Sequence, residues 1–383
     1  MEDWTQTLGT APLLTIAAAA IALILVLVIK FKLHAFLTLI LVALLTAFAT
    51  GIPTGMIVDT AVTAFGGTLG SVALLIGLGA MLGKLVEHSG GARVLADKLV
   101  DIFGEKRAPF GLGIASLIMG FPIFFDAGLV VMLPIIFAVA RRVSGNNVLL
   151  YGIPAAGAFS VMHVFVPPHP GPVAATELYG ADLGMVLLIG LLLAFPLWYV
   201  SAYLWGKRVG TKYVLPVPGF FGDVDDDQPA NPPRVGTIIA LLLLPLVLIF
   251  MNTGLDFLRA AGIGDALASP LDGIGLPVIF AAYIIAVVLR LAQGSATVAL
   301  VTAAGLMAPA VAAGNFNSVE VAAVVLATAA GSVFAGHVND SGFWLVGRLM
   351  GMDVKTTLKT WTVQQALESV LGFAVVLVIF YIA

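Results

Sequence analysis

FSVMHVFVPPHPGPVAATELYGAD, residues 159–182, decides how the chain must be read. Pro167, Pro168, Pro170 and Pro172 fall within six residues of one another. A helix arriving from Tyr151 cannot pass through them, because each proline lacks an N–H and its ring clashes with the preceding turn. Yet both flanks are apolar, and another long apolar run begins at Met185. The pattern predicts a helix interrupted at membrane depth. Irregular backbone is tolerated there only where protein buries it or where it lines a wet cavity. Many transporters build their substrate sites from interrupted helices of this kind. Two histidines, His163 and His169, bracket the interruption.

Composition points to the same setting. Of 383 residues, 60% are hydrophobic and 10% charged, with a mean hydropathy of +1.09. Soluble domains carry about 25% charged residues, so the chain reads as a polytopic membrane protein. Its net charge of −3 gives no footing for nucleic acid or a polybasic surface role. With no cysteine, disulfides, thiolate nucleophiles and Cys-based metal sites are excluded, and no cofactor is expected. Residues 1–10 hold no Lys or Arg. A cleaved signal peptide needs a positive n-region, so the first apolar run is expected to be a retained span.

Apolar runs long enough to span, or nearly so, occur at 11–30, 34–52, 67–86, 108–125, 127–141, 147–166, 184–206, 235–253, 274–291, 296–313, 320–336 and 363–382. Basic residues cluster at Lys30 and Lys32, between Lys84 and Arg107, at Arg141 and Arg142, and around the loop from Lys207 to Arg234. The positive-inside rule makes these cytoplasmic and leaves the N-terminus and 51–66 outside. Runs 108–125 and 127–141 both carry basic residues at their outer ends, and GFPIFFDAG (120–128) lies between them. The second run reaches only about 21 Å against a core of roughly 30 Å. A re-entrant hairpin turning at Pro122–Gly128 fits, and two tilted spans with a short outer turn are the alternative. The loop 209–234 is rich in Pro and Asp and reads as a mobile cytoplasmic linker. Its aspartates lack the spacing and glycine of a calcium loop, so no metal is expected.

The chain also matches itself. HSGGARVLADKL (88–99) pairs with AAGIGDALASPL (260–271), and GFPIFFDAGLVVMLP (120–134) with RLAQGSATVALVTAA (290–304). FSVMHVFVPPHPG (159–171) pairs with GSVFAGHVNDSGF (331–343), and YGADLGMVLLIG (179–190) with MGMDVKTTLKTW (350–361). The offset stays near 170 residues. Charge gives the second copy the opposite polarity. The expected fold is therefore all-α and polytopic: an inverted repeat with two opposed re-entrant hairpins and two broken helices. Residues 1–66 supply N-terminal scaffold helices. The first repeat covers 67–208, with hairpin 108–141 and broken helix 147–182. After the linker, the second repeat covers 235–383, with hairpin 274–313 and broken helix 320–350. The second copy lacks two helices that the first possesses.

Candidate residues follow from polarity inside apolar runs. Asp126, at the first hairpin tip, is read as proton-coupling or substrate-binding, or as a cap of the hairpin's second arm. His163 and His169 could hold a carboxylate or carry a proton, because imidazole titrates near physiological pH; a packed helix histidine is the alternative for His163. His169 is assigned to proton coupling together with Asp126. Gln293, Ser295 and Thr297 form the second tip, where small residues and a helix start favour an anion. Arg290 either pairs with Asp126 or a substrate carboxylate at depth, or snorkels near the surface. His337, Asn339 and Asp340 make up the second break, with an ordinary surface turn as the alternative.

GFPIFFDAG…LP (120–134), VPPHPGP (166–172), RLAQGSATVA (290–299) and GHVNDSGFW (336–344) resemble the gluconate permease (GntP) family of the ion transporter superfamily. The resemblance runs through nearly the whole chain. It implies proton-coupled uptake of gluconate or a related small sugar acid by alternating access, as a multi-pass protein of the bacterial inner membrane. It further implies a homodimer, and places Ser295 and Thr297 where the substrate carboxylate is held. Compared with the family, two helices are missing near Leu258–Gly264. This keeps an inactive or structural paralogue as one alternative. An intramembrane enzyme using His163, His169, His337 and Asp126 is another, although no HExxH pair occurs.

Overall fold

The computed structural model describes residues 8, 10–27, 31, 33, 35–63, 66, 81, 85, 89–104, 107–143, 147–218, 233–240 and 277–383. The span expected at 67–86, most of 235–253, most of the linker, and the join near 258–264 lie outside these residues. Every regular element among the described residues is helical, and four helices are long and apolar enough to cross a membrane. The protein is an all-α polytopic membrane protein.

Contacts divide the chain into two units, Met1–Leu74 and Leu75–Ala383. The first unit contains α1 (Thr10–Leu25) and α2 (Ala35–Ala49), neither of which carries a charged residue.

The second unit begins with α3 (Gly91–Phe103), followed by α4 (Ala108–Met119), α5 (Phe125–Val143), α6 (Leu149–Phe165), α7 (Pro170–Tyr179) and α8 (Leu183–Lys212). After the linker come α9 (Val278–Gln293), α10 (Ala296–Ala313), α11 (Ser318–Ser332), α12 (Ser341–Leu349) and α13 (Val354–Ile382). Each half therefore contains two helix–break–helix units: α4/α5 and α6/α7, then α9/α10 and α11/α12.

The breaks have local causes. Val166 is extended where the prolines stop α6, and Pro170 opens α7 as its first residue, where a missing N–H costs nothing. In the second half, Ala335 takes a positive φ of 45° past the end of α11. Asp340 then caps α12 by accepting from Gly342 N at 3.0 Å. Ser295 caps α10 in the same way, through Val298 N. Gly294 has φ +78°, and a Cβ there would collide with the Asn339 carbonyl.

The first pair departs from expectation. Its break falls at 120–124, because Asp126 and Gly128 already belong to α5. The short arm is α4, with 12 residues or about 18 Å, whereas α5 has 19 residues, or about 28 Å. The arm too short to span is thus the first, not the second.

The core lies around α6 and α11. Nearly all of α6 is buried, as is α11 from Ala322 onward. The Ala, Gly and Ser content of α11 lets neighbouring backbones come close. α8 and α13 each contain a π-helical segment, Tyr199–Leu204 and Leu358–Thr362. The Trp205 indole N–H donates to the Thr360 carbonyl at 2.9 Å, so the two segments are joined.

Candidate functional site

A cavity of about 280 Å³ lies among the breaks. Phe124, Phe125 and Asp126 at the start of α5 line it, with Ser160, His163 and Val164 near the end of α6 and Pro170 at the start of α7. Opposite them stand Arg290, Ser295, Ala296 and Thr297 at the α9–α10 tip, Val333 just past α11, Asp340, Ser341 and Gly342 at the start of α12, and Gln365 of α13. Four helices thus begin at the wall: α5, α7, α10 and α12. A helix start presents N–H groups without intrahelical acceptors and about half a positive charge. Two starts come from each half, and together they favour an anion.

Arg290 is 2% exposed and bonds to Asp340 Oδ2 at 2.6 Å. It also donates to the Gly294 carbonyl at 2.5 Å and to Gln365 Oε1 at 3.2 Å. The partner considered from sequence was Asp126; the structure gives Asp340 instead. Asp340 therefore serves twice, with Oδ1 capping α12 and Oδ2 neutralising Arg290. Gly336 allows this packing, since a Cβ there would strike Arg290, Asp340 and Gln365 together.

A chain of polar groups connects the halves on the other side. Thr297 Oγ1 is 3.4 Å from His163 Nε2, His163 Nδ1 is 3.3 Å from His169 Nδ1, and His169 Nε2 is 2.7 Å from the Gly120 carbonyl. A carbonyl can only accept, so His169 carries its proton on Nε2. With both rings neutral, His169 Nδ1 accepts from His163 Nδ1–H, and His163 Nε2 accepts from the Thr297 hydroxyl. The direction of the chain follows from Gly120. His169 itself is 1% exposed and sits at the position before α7 without lining the cavity.

Asp126 lies in the first turn of α5 and not at its cap position, and it is exposed at the cavity. Gln293 closes α9, but its side chain lies outside the described atoms. Two expected site residues point elsewhere. Both Asn339 Nδ2, at 2.8 Å, and His337 Nε2, at 3.2 Å, contact the Leu291 carbonyl. They satisfy the C-terminal carbonyls of α9, groups a helix leaves unpaired.

Three polar residues were missed from sequence: Ser160, Gln365 and Glu368. Glu368 is fully buried and accepts from Ser160 Oγ at 2.9 Å and from Gln364 Nε2 at 2.9 Å. The available signal was Gln364, Gln365, Glu368 and Ser369, spaced to share one face of an apolar helix.

Interrupted helices whose starts meet at a polar cavity inside a membrane protein are the arrangement with which many transporters build a substrate site. The chain belongs to the GntP family of permeases: the description "GntP family permease" matches residues 11–259 and 254–382. It is 34% identical to the Inner membrane permease YgbN of Escherichia coli K12, over 96% of this chain and 97% of that protein. To a Gluconate permease of Bacillus subtilis it is 33% identical, over 96% and 99%. To the Gnt-II system L-idonate transporter of Escherichia coli K12 it is 32% identical, over 96% and 98%. Together with the apolar helices, the family makes this a multi-pass protein of the bacterial inner membrane. The first of these alignments runs 447 positions, whereas 96% of 383 residues is about 368. Nearly 80 positions therefore have no residue here, and the two family matches meet at 254–259.

Proposed function

We propose that the protein carries gluconate or a related small sugar acid into the cell together with a proton, by alternating access. The observation that carries this reading is the convergence of four helix starts, two from each half, on one cavity. Such a wall favours a carboxylate without a free cation. The volume of about 280 Å³ suits a small acid, near the lower bound of small-molecule sites at roughly 300 Å³. Hydroxyl and imidazole groups of Ser160, His163, Ser295 and Thr297 offer partners to a polyhydroxylated chain. Relatives named for gluconate and L-idonate fit that chemistry. Asp126, facing the cavity, and His169, inside the polar chain, are the groups we assign to proton coupling. The two halves act as inverted repeats whose hairpin tips and breaks move around the bound acid.

A second reading, an inactive or structural paralogue, is favoured by the nearly 80 absent positions. Against it, every cavity-lining residue falls within 124–170 or 290–365, clear of the 254–259 junction. Uptake of labelled gluconate by proteoliposomes under an inward proton gradient decides. A form with the missing stretch restored runs beside it. Uptake by this chain establishes transport. Uptake by the restored form alone establishes the paralogue. If neither form transports gluconate, that substrate is wrong.

A further inference from the structure

Glu368 takes no part in the cavity wall, yet it is the most deeply enclosed acid near it. It sits on α13 at 0% exposure. Its carboxylate receives Ser160 Oγ at 2.9 and 3.2 Å and Gln364 Nε2 at 2.9 Å. Among the described residues, no Lys or Arg lies within ion-pair distance of it. Arg290 acts on it electrostatically, but that guanidinium is committed to Asp340. A carboxyl buried in a membrane protein without a paired cation marks a proton or ion pathway.

A second observation concerns its neighbour. Gln364 Oε1 is buried and has no hydrogen-bond donor. As the amide stands, Nε2 serves an ionised Glu368. Turned over, the amide would present Oε1, which accepts from a protonated carboxyl. The pair can therefore be satisfied with the proton present or absent.

The surroundings leave few other titrating groups. From α6 come Ser160 and, a turn further, His163. From α9 come Arg290 and Tyr283, whose hydroxyl lies 3.1 Å from Ser369. α11 has one charged residue, Glu320, held in its own capping box. Lys207, Arg208 and Lys212 of α8 are exposed.

We propose that Glu368 is the buried proton-binding group of the transport cycle. It is joined to the cavity wall by its hydrogen bond to Ser160 on α6, and Arg290, bound to Asp340 and Gln365 of that wall, acts on it electrostatically. This rests on the proton-symport reading above and adds to it a site behind the cavity. Asp126 exchanges protons at the wall, and Glu368 holds the proton while the acid is bound.

The test compares wild type with Glu368→Gln in proteoliposomes. It measures labelled-gluconate counterflow, accumulation under an inward proton gradient, and the pH profile of uptake. Glu368→Gln should keep counterflow, lose accumulation by roughly tenfold or more, and flatten the pH profile. Accumulation and a pH profile like wild type overturn the proposal. Should Glu368→Gln show no activity in any of the three, Glu368→Asp decides. Restored accumulation supports a proton-binding role, and loss of all activity there too makes Glu368 structural and overturns it. Failure is separable from failure of the underlying reading. Wild type without gluconate counterflow defeats transport itself, and wild type with counterflow but no proton-driven accumulation defeats symport.

Discussion

In the half running from α4 to α7, the polar side chains at the cavity are Asp126, Ser160 and His163, with His169 behind His163, and no Lys or Arg stands among them. The half running from α9 to α12 offers Arg290 and Asp340, already bound to each other, along with the hydroxyl-bearing Ser295, Thr297 and Ser341. Both halves bring two helix starts to the same wall, so the geometry is shared and the chemistry is not. On the proposed function, the shared geometry receives the anion. On the same proposal, change of protonation at the wall belongs to the first half and fixed architecture to the second, with Glu368 of α13 behind the cavity.

The most damaging substitution should fall in the second half. Asp340→Asn leaves the Arg290 charge buried without a counter-charge, and leaves one oxygen where two now serve Arg290 and the start of α12. A loss of about 3–5 kcal/mol is expected, read as a drop in thermal stability together with loss of uptake. Stability like wild type would show that the pair is not the fixed element. Replacing Arg290 and Asp340 together by Met and Leu should recover stability without recovering transport.

Asp126→Asn comes next. Proton-driven accumulation should fall by roughly tenfold or more. Because Asp126 lines the cavity, gluconate affinity should shift as well, whereas Glu368→Gln changes coupling alone. Normal accumulation by Asp126→Asn would remove the first half's claim to proton handling.

His163→Gln sharpens the contrast at smaller scale. It breaks the chain from Thr297 to Gly120 and should weaken apparent affinity about fivefold, near 1 kcal/mol. The smallest effect belongs to Asn339→Ala. Loss of its bonds to the end of α9 should cost about 1 kcal/mol of stability. Gluconate affinity should stay within roughly twofold, because Asn339 does not face the cavity. A large affinity loss would return Asn339 to the substrate site.

The helical elements and breaks were legible because proline and glycine mark them in apolar sequence, and because the second half repeats the order of the first. Asp126, His163, Ser295, Thr297 and Asp340 were legible as polar residues with no reason to sit in such runs. His337 and Asn339 showed the same signal for a different cause: the end of a helix needs donors as much as a substrate does. Polarity alone cannot separate the two. Glu368 was hidden by its position. It lies inside the apolar run 363–382, read whole as a span, and its partner Ser160 is 208 residues away. The placement of Arg290 also needed three dimensions, since Asp126 and Asp340 are equally plausible partners on paper.

The π-helical segment Leu358–Thr362 has a consequence for aim. Such a segment amounts to one extra residue in an α-helix. Each residue turns an α-helix by about 100°. Gln365 and Glu368 follow the segment directly, so their azimuth is set by that single insertion. Shorten it by one residue and both side chains swing about a quarter-turn around α13. Gln365 would leave the cavity wall and Glu368 would leave Ser160, with no change in the identity of either.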